Sequence, residues 1–211
     1  MMKRPDLPAA HGRLKAFGLA GSLGRFVKDI SAVGAIEFAL IVPLLIMLYF
    51  GVIEIEHALS TKSKVTSTTS TIGDLVTRRK ELDAATMTDI LDWTPLTVLA
   101  PYPTTPGKPN QPGTESWNPK IKVTCIAVDE DKIATVKWST ARGTGDKDRV
   151  DSKVTPPTGV TLPNSKLVHV DVEYTYQAVI AWWLPELVTF NSDFYFKPRE
   201  GGTVCYDGTC C

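Results

Sequence analysis

Residues 33–53 read VGAIEFALIVPLLIMLYFGVI, and the rest of the chain is read outward from this run. Twenty-one consecutive residues carry a single charge, Glu37. As a helix rising about 1.5 Å per residue, the run measures about 32 Å, close to the ~30 Å hydrocarbon thickness of a bilayer. A helix that is apolar on every side has no polar face to offer water. The carboxylate near its start is the exception. A charge at mid-membrane costs roughly 2.5–3.5 kcal/mol on insertion scales, and less near an interface, so Glu37 calls for a partner. Pro43 removes one backbone donor and is expected to kink the helix, a bend that a neighbouring helix accommodates. Gly51 offers a point of close helix approach.

The flanks give the direction of insertion. Arg13, Lys15, Arg25 and Lys28 lie in the 20 residues before the run, whereas only Lys62 and Lys64 lie in the 20 after it. The bias puts the N-terminal side in the cytoplasm and everything after Ile53 outside. Residues 1–32 then form a basic cytoplasmic leader. A conventional cleaved secretory signal has a core of ~7–15 apolar residues on a short lead and fits poorly.

The whole chain has 211 residues, 23 basic and 23 acidic side chains and no net charge. Such a balance argues against a general nucleic-acid binder. The length suits one membrane helix, spanning about 33–53 within a helix over 33–80, plus one head domain over 81–211.

Past the run the helix is expected to continue, with Ile55, Leu59, Val65, Ile72, Leu75 and Val76 as a one-sided apolar stripe. The Ser/Thr run over 66–71 lowers helix propensity, and Gly73 is a point where the helix bends or breaks. Arg78, Arg79 and Lys80 suit a helix C-terminus. A second helix is expected over Asp83–Trp93 with Asp83 as its N-cap. Seven prolines between Pro95 and Pro119 mark a loop.

Strand signals resume at Lys120. Ile121, Val123 and Cys125 alternate with polar residues, and Ala134, Val136 and Trp138 alternate likewise after the charged turn Asp129-Glu130-Asp131. A Gly/Pro/Asp-rich loop covers 141–164. In the next strand Leu167, His169, Asp171, Glu173 and Thr175 share one face, opposite Val168, Val170, Val172, Tyr174 and Tyr176. It runs toward Trp182, Trp183 and Pro185, which ends it; core or loop packing suits the two tryptophans better than the membrane surface. Further strands are expected at Phe194–Phe196 and Thr203–Cys205. The fold class is α+β, with four or so antiparallel strands packed on one long helix.

The chemistry-bearing residues are few. Cys125, Cys205, Cys210 and Cys211 all follow the apolar run and can pair in an oxidising compartment, with three possible connectivities. Adjacent Cys210 and Cys211 are poor partners for each other, which favours one of them with Cys205 and the other with Cys125. The spacing matches no common zinc pattern, so no metal or cofactor is expected. No nucleophile-elbow, zincin or phosphate-loop motif is present. The row His169, Asp171, Glu173 reads as a solvated sheet face rather than a catalytic set, and no enzyme is expected. Asp129-Glu130-Asp131 reads as a charged turn rather than a calcium site.

Gly34 to Leu45, followed by Gly51-Val52-Ile53-Glu54 and His57-Ala58-Leu59, resembles the start of TadE/TadF-like pseudopilins, minor pilin-like proteins of the tight-adherence (Tad, or Flp) pilus system. The strand Leu167 to Tyr176 leading into an apolar, proline-containing segment is also similar. The resemblance implies a pilin-like fold and a role in assembling or initiating a type IV pilus used in surface adhesion. It implies processing by a prepilin peptidase on the cytoplasmic side, placing Ala32 before the cut and Val33 at the new N-terminus, with Glu37 fifth. The family usually has glycine where this chain has Ala32; a cut after Gly34 would leave Glu37 third. Implied partners are other pilin subunits, the peptidase, an inner-membrane secretion platform and the lipid bilayer, with Glu37 and Phe38 in subunit assembly. Such a protein sits in the bacterial inner membrane with its head in the periplasm, or travels into the extracellular pilus. The other reading is a single-pass anchored periplasmic binding module unrelated to pili.

Overall fold

A computed structural model describes residues 30–100, 119–143, 145–176, 178, 188–199 and 201–211. Residues 1–29 of the leader, most of the proline-rich stretch, and Trp182, Trp183 and Pro185 lie outside the described residues. The chain divides into two units, residues 1–50 and 51–211. Helix α1 (Ile30–Thr77) contributes to both. In the first unit its apolar side chains are exposed, Phe38 at 67% and Leu40 at 74%.

The second unit is a helix-on-sheet head, and the long apolar helix followed by antiparallel strands is the α+β arrangement expected. After α1 come β1 (Glu81–Leu82), α2 (Ala84–Val98), β2 (Lys120–Val128), β3 (Ala134–Arg142), β4 (Lys153–Val154), β5 (Lys166–Tyr176), β6 (Val188–Phe196), β7 (Cys205–Tyr206) and β8 (Thr209–Cys210). Five strands form one antiparallel sheet in the order β4-β3-β2-β5-β6. A second sheet of two-residue strands runs β1-β7-β8, with β1 parallel to β7. The strand expected at Phe194–Phe196 is the end of the longer β6, and the one expected at Thr203–Cys205 overlaps β7 at Cys205; the two-residue strands β1, β4 and β8 are too short for any periodicity to mark.

Alternation along β5 sends Val168, Val170, Val172, Tyr174 and Tyr176 to the core face, where they meet Val65, Ile72 and Val76 of α1 and Met87 and Leu91 of α2. At ~25 cal/mol per Å² of apolar surface, each fully buried aliphatic side chain contributes roughly 1.5–3 kcal/mol relative to exposure. Leu167 is buried too, but with Ile126, Val128 and Ala134 in a separate cluster. A register shift between Cys125 and Ile126 lets neighbouring residues of β2 enter different clusters. Leu167 thus shares its strand face with His169 and Asp171 but is itself part of a core.

Four expectations change. The apolar stripe on α1 is only half used by this unit: Val65, Ile72 and Val76 are buried, whereas Ile55 (62%) and Leu59 (63%) are exposed and Leu75 is at 37%. The Ser/Thr run does not break the helix. The hydroxyls of Thr61, Thr66, Ser67, Thr68, Thr69 and Thr71 each donate to the carbonyl four residues earlier, so they cap the helix's own backbone instead of competing with it. Gly73 does not interrupt α1. A Cβ there would lie 2.1 Å from the Phe196 ring, so the missing side chain lets β6 approach the helix. The basic trio starts just after Thr77 rather than inside the last turn, with Arg78 pairing back to Asp74 at 2.7 Å.

Asp83 caps α2 by accepting from the Thr86 N–H at 3.0 Å. Hydrogen bonds from Thr86 hold its carboxyl below the ordinary carboxylate range. The helix runs five residues beyond Trp93, with Pro95 inside its last turns, so the loop does not open at Pro95. Burial of Leu91, Thr94 and Pro95 holds these turns. So does the two-pronged pair of Asp92 with Arg142 of β3, at 2.5 and 2.7 Å.

Candidate functional site

Three groups of residues carry chemistry, and they are taken from the helix inward. Ala32 and Val33 lie in the first turn of α1. Helix N-termini leave their first N–H groups without intrahelical partners, so this turn frays more readily than those behind it. Glu37 and Phe38 follow one turn later, both exposed. Glu37 makes no ion pair among the described residues. Pro43 lies within the helix. An added Cβ at Gly34 or Gly51 would have nothing within 4 Å. The helix is long and apolar enough to cross a membrane, with none of its most apolar window buried.

The second group is the cysteine corner. Cys125, in the middle of β2, is bonded to Cys211, and Cys205 is bonded to Cys210 across the β7–β8 pair. The short hairpin is thereby tied to a central strand of the large sheet. Trp138 packs beside it, its indole N–H donating to the Val204 carbonyl at 3.1 Å and its ring 5.4 Å from Tyr206.

The third group is the polar face of the large sheet. His169 stacks on Tyr195 at 4.3 Å, with its Nε2 3.6 Å from an Asp193 carboxylate oxygen. Lys122 reaches Asp148 at 3.1 Å and Asp171 at 4.0 Å, and the Thr124 hydroxyl donates to Asp148 at 2.7 Å. Burial pulls the His169 imidazole below its ordinary range, against the opposing pull of Asp171 and Asp193. Burial likewise pushes the Asp171 carboxyl up, with Lys122 and His169 opposing. The row is therefore more enclosed than a freely solvated face, with the His169 side chain only 15% exposed. Within the row Glu173 pairs with Lys120 at 2.7 Å, whereas Asp171 reaches Lys122 only at 4.0 Å and its buried Oδ1 has no hydrogen-bond partner among the described residues. Among the described residues no group of three or more His, Cys, Asp or Glu side chains could hold a metal ion.

Sequence reasoning missed one tie at the junction. The Tyr176 hydroxyl, at the end of β5, donates to Glu54 of α1 at 2.7 Å. Tyr176 stood out only as the last apolar-face residue of its strand, and Glu54 only as the end of the Gly51-Val52-Ile53-Glu54 stretch just past the apolar run.

Among the described residues the chain joins one helix, long and apolar enough to cross a membrane, to an α+β head. Residues 32–73 match the family model of TadE-like proteins. The match spans the exposed apolar stretch and continues to Gly73, where the helix meets β6. No curated protein and no solved structure matches the chain.

Proposed function

We propose that this chain is a minor pseudopilin of a Tad-type pilus, held in the bacterial inner membrane by α1 with its head in the periplasm, and that it serves assembly or initiation of the filament rather than catalysis. The observation that carries this reading is the TadE-like match opening on a helix stretch, residues 33–53, that is apolar, largely uncovered and marked by one acid, Glu37. A prepilin peptidase cuts between Ala32 and Val33, which creates an α-ammonium at Val33. Glu37 of one subunit then meets that ammonium on a neighbouring subunit as the helices leave the bilayer for a bundle. Each charge alone is costly to desolvate, and together they offset one another, so the pair sets the register of neighbouring helices. Phe38 sits beside the acid in the contact, and the secretion platform receives the assembled subunits.

N-terminal sequencing of the mature protein tests the first step, with Val33 as the expected first residue. Glu37→Ala is expected to keep the protein in the membrane fraction while lowering its recovery with sheared filaments about ten-fold, the equivalent of ~1.4 kcal/mol. A mature protein that retains residues 1–32, or normal piliation in that variant, overturns the reading.

A further inference from the structure

The two disulfides are nested. Cys205–Cys210 closes a separation of 5 residues inside the 86-residue separation of Cys125–Cys211. Cys210 and Cys211 are neighbours in the chain yet serve different partners. Before the head folds, little distinguishes them. The two loops that Cys205 can close differ by a single residue, and closure entropy changes only slowly with length, so chain statistics give neither Cys210 nor Cys211 a strong preference. The β7–β8 hairpin cannot decide the matter alone, since isolated two-stranded hairpins are at best marginally stable. The folded head does discriminate. Cys125 is wholly buried in the main core, Cys211 is 7% exposed, and its Sγ and N–H each lie 3.3 Å from the Val204 carbonyl. Cys210 is exposed on β8, opposite Cys205. Only Cys211 turns inward to meet Cys125.

We infer that native pairing in this chain is reached through thiol–disulfide exchange, and that a dithiol disulfide isomerase acts on it during maturation. The inference rests on reading residues 81–211 as lying in an oxidising compartment. A chain oxidised before folding carries Cys205–Cys211 and Cys125–Cys210 nearly as often as the native bonds. An oxidant that joins cysteines in order of emergence adds Cys125–Cys205. In the first mispaired form, an isomerase thiolate attacks Sγ of Cys211, forming a mixed disulfide and releasing the Cys205 thiolate. That thiolate attacks Sγ of Cys210 and releases the Cys125 thiolate, which then displaces the isomerase from Cys211. Each displacement forms one S–S bond and breaks one, a thiolate enters and a thiolate leaves, and no net oxidant is needed.

The test expresses the full chain in bacterial hosts with and without their periplasmic disulfide isomerase. Free thiols are trapped with N-ethylmaleimide at lysis, and the pairs are mapped by mass spectrometry. Without the isomerase the native fraction is expected to fall about two-fold, as the near-equal loop probabilities require. The missing chains carry Cys205–Cys211 or Cys125–Cys205. The double variant Cys205→Ser/Cys210→Ser retains a single possible bond and is expected to form it equally in both hosts. Equal native pairing of the wild-type chain in both hosts overturns the inference. Alkylation of all four cysteines in both hosts overturns the compartment reading and the inference with it, and is distinguished by the absence of any disulfide.

Discussion

Residues 33–50 and residues 61–77 belong to one helix, α1, yet each half inverts what its composition suggests in water. The first half is nearly all aliphatic and aromatic, and its side chains are exposed. The second half is rich in serine and threonine, and Thr61, Thr68, Thr69 and Thr77 are all at 0–1% exposure. Hydrophobicity alone therefore does not say which part of this helix the head covers. The first half suits lipid or other helices, where an apolar surface costs nothing. The second half hides its hydroxyls by turning them back onto its own carbonyls, which lets β-branched side chains pack against the sheet without leaving buried polar groups unmet.

Cutting the same amount of side chain from each half breaks the comparison most sharply. Ile72→Ala removes a fully buried side chain from the core and is expected to lower the head's stability by about 2–5 kcal/mol. Leu44→Ala, at a position 63% exposed, is expected to leave that stability within about 0.5 kcal/mol. Urea midpoints of the detergent-solubilised protein, followed by tryptophan fluorescence, read both. Equal losses would mean that the first half is also part of the head's core.

Gly73→Ala sharpens the picture at the helix–sheet contact. The new methyl meets the Phe196 ring, and the ring or the helix must shift, at an expected cost of about 1–3 kcal/mol on the same unfolding curve. Gly51→Ala in the same assay is expected to stabilise or do nothing, because no atom lies within 4 Å of the new methyl.

The smallest effect belongs to the polar face. His169 has its imidazole held below the ordinary value of 6.5, chiefly by burial, so the unfolded chain takes up this proton before the folded one does. Its contribution to stability is present above that value and is lost as pH falls from about 6.5 toward the folded pKa. Asp171 acts in the opposite sense and lower in pH. Its raised carboxyl keeps a proton longer in the folded state, so that contribution fades as pH rises from 3.8 through the folded pKa. His169→Gln is expected to flatten the slope of stability against pH just below 6.5, and an unchanged slope would assign it to other groups.

The parts of the fold legible in the sequence were those with a period or a local chemical signature. The apolar run stood out, Asp83 marked the start of α2, and the alternation of β5 put five core residues on one face. What stayed hidden depends on distant neighbours. Gly73 looks like a helix breaker until Phe196, 123 residues later, is seen against it. Leu167 shares a face with the polar residues of β5, and its burial shows only with Ile126, Val128 and Ala134 around it. Pro95 looks like a loop until the Asp92–Arg142 pair fastens the turn around it. At the candidate site, the run around Glu37 was readable because its oddity is local: one acid in an apolar run. The tie between Glu54 and Tyr176 was not, because neither residue is unusual where it stands.

The way β1 leaves the end of α1 bears on how the head takes mechanical load. Past Thr77 the chain enters β1, which lies parallel to β7, with the N–H groups of Cys205 and Asp207 donating to the carbonyls of Lys80 and Leu82 at 2.8 and 3.0 Å. Force drawn along the helix would meet first the packing of Val65, Ile72 and Val76 against the sheet and then, past Thr77, these two bonds. From β7 it would pass through the Cys205–Cys210 and Cys125–Cys211 bonds into β2, flanked on both sides by β3 and β5. A pull would thus be shared between the buried side chains of the helix and the two nested disulfides, and both deliver it to inner strands of the sheet rather than to its rim.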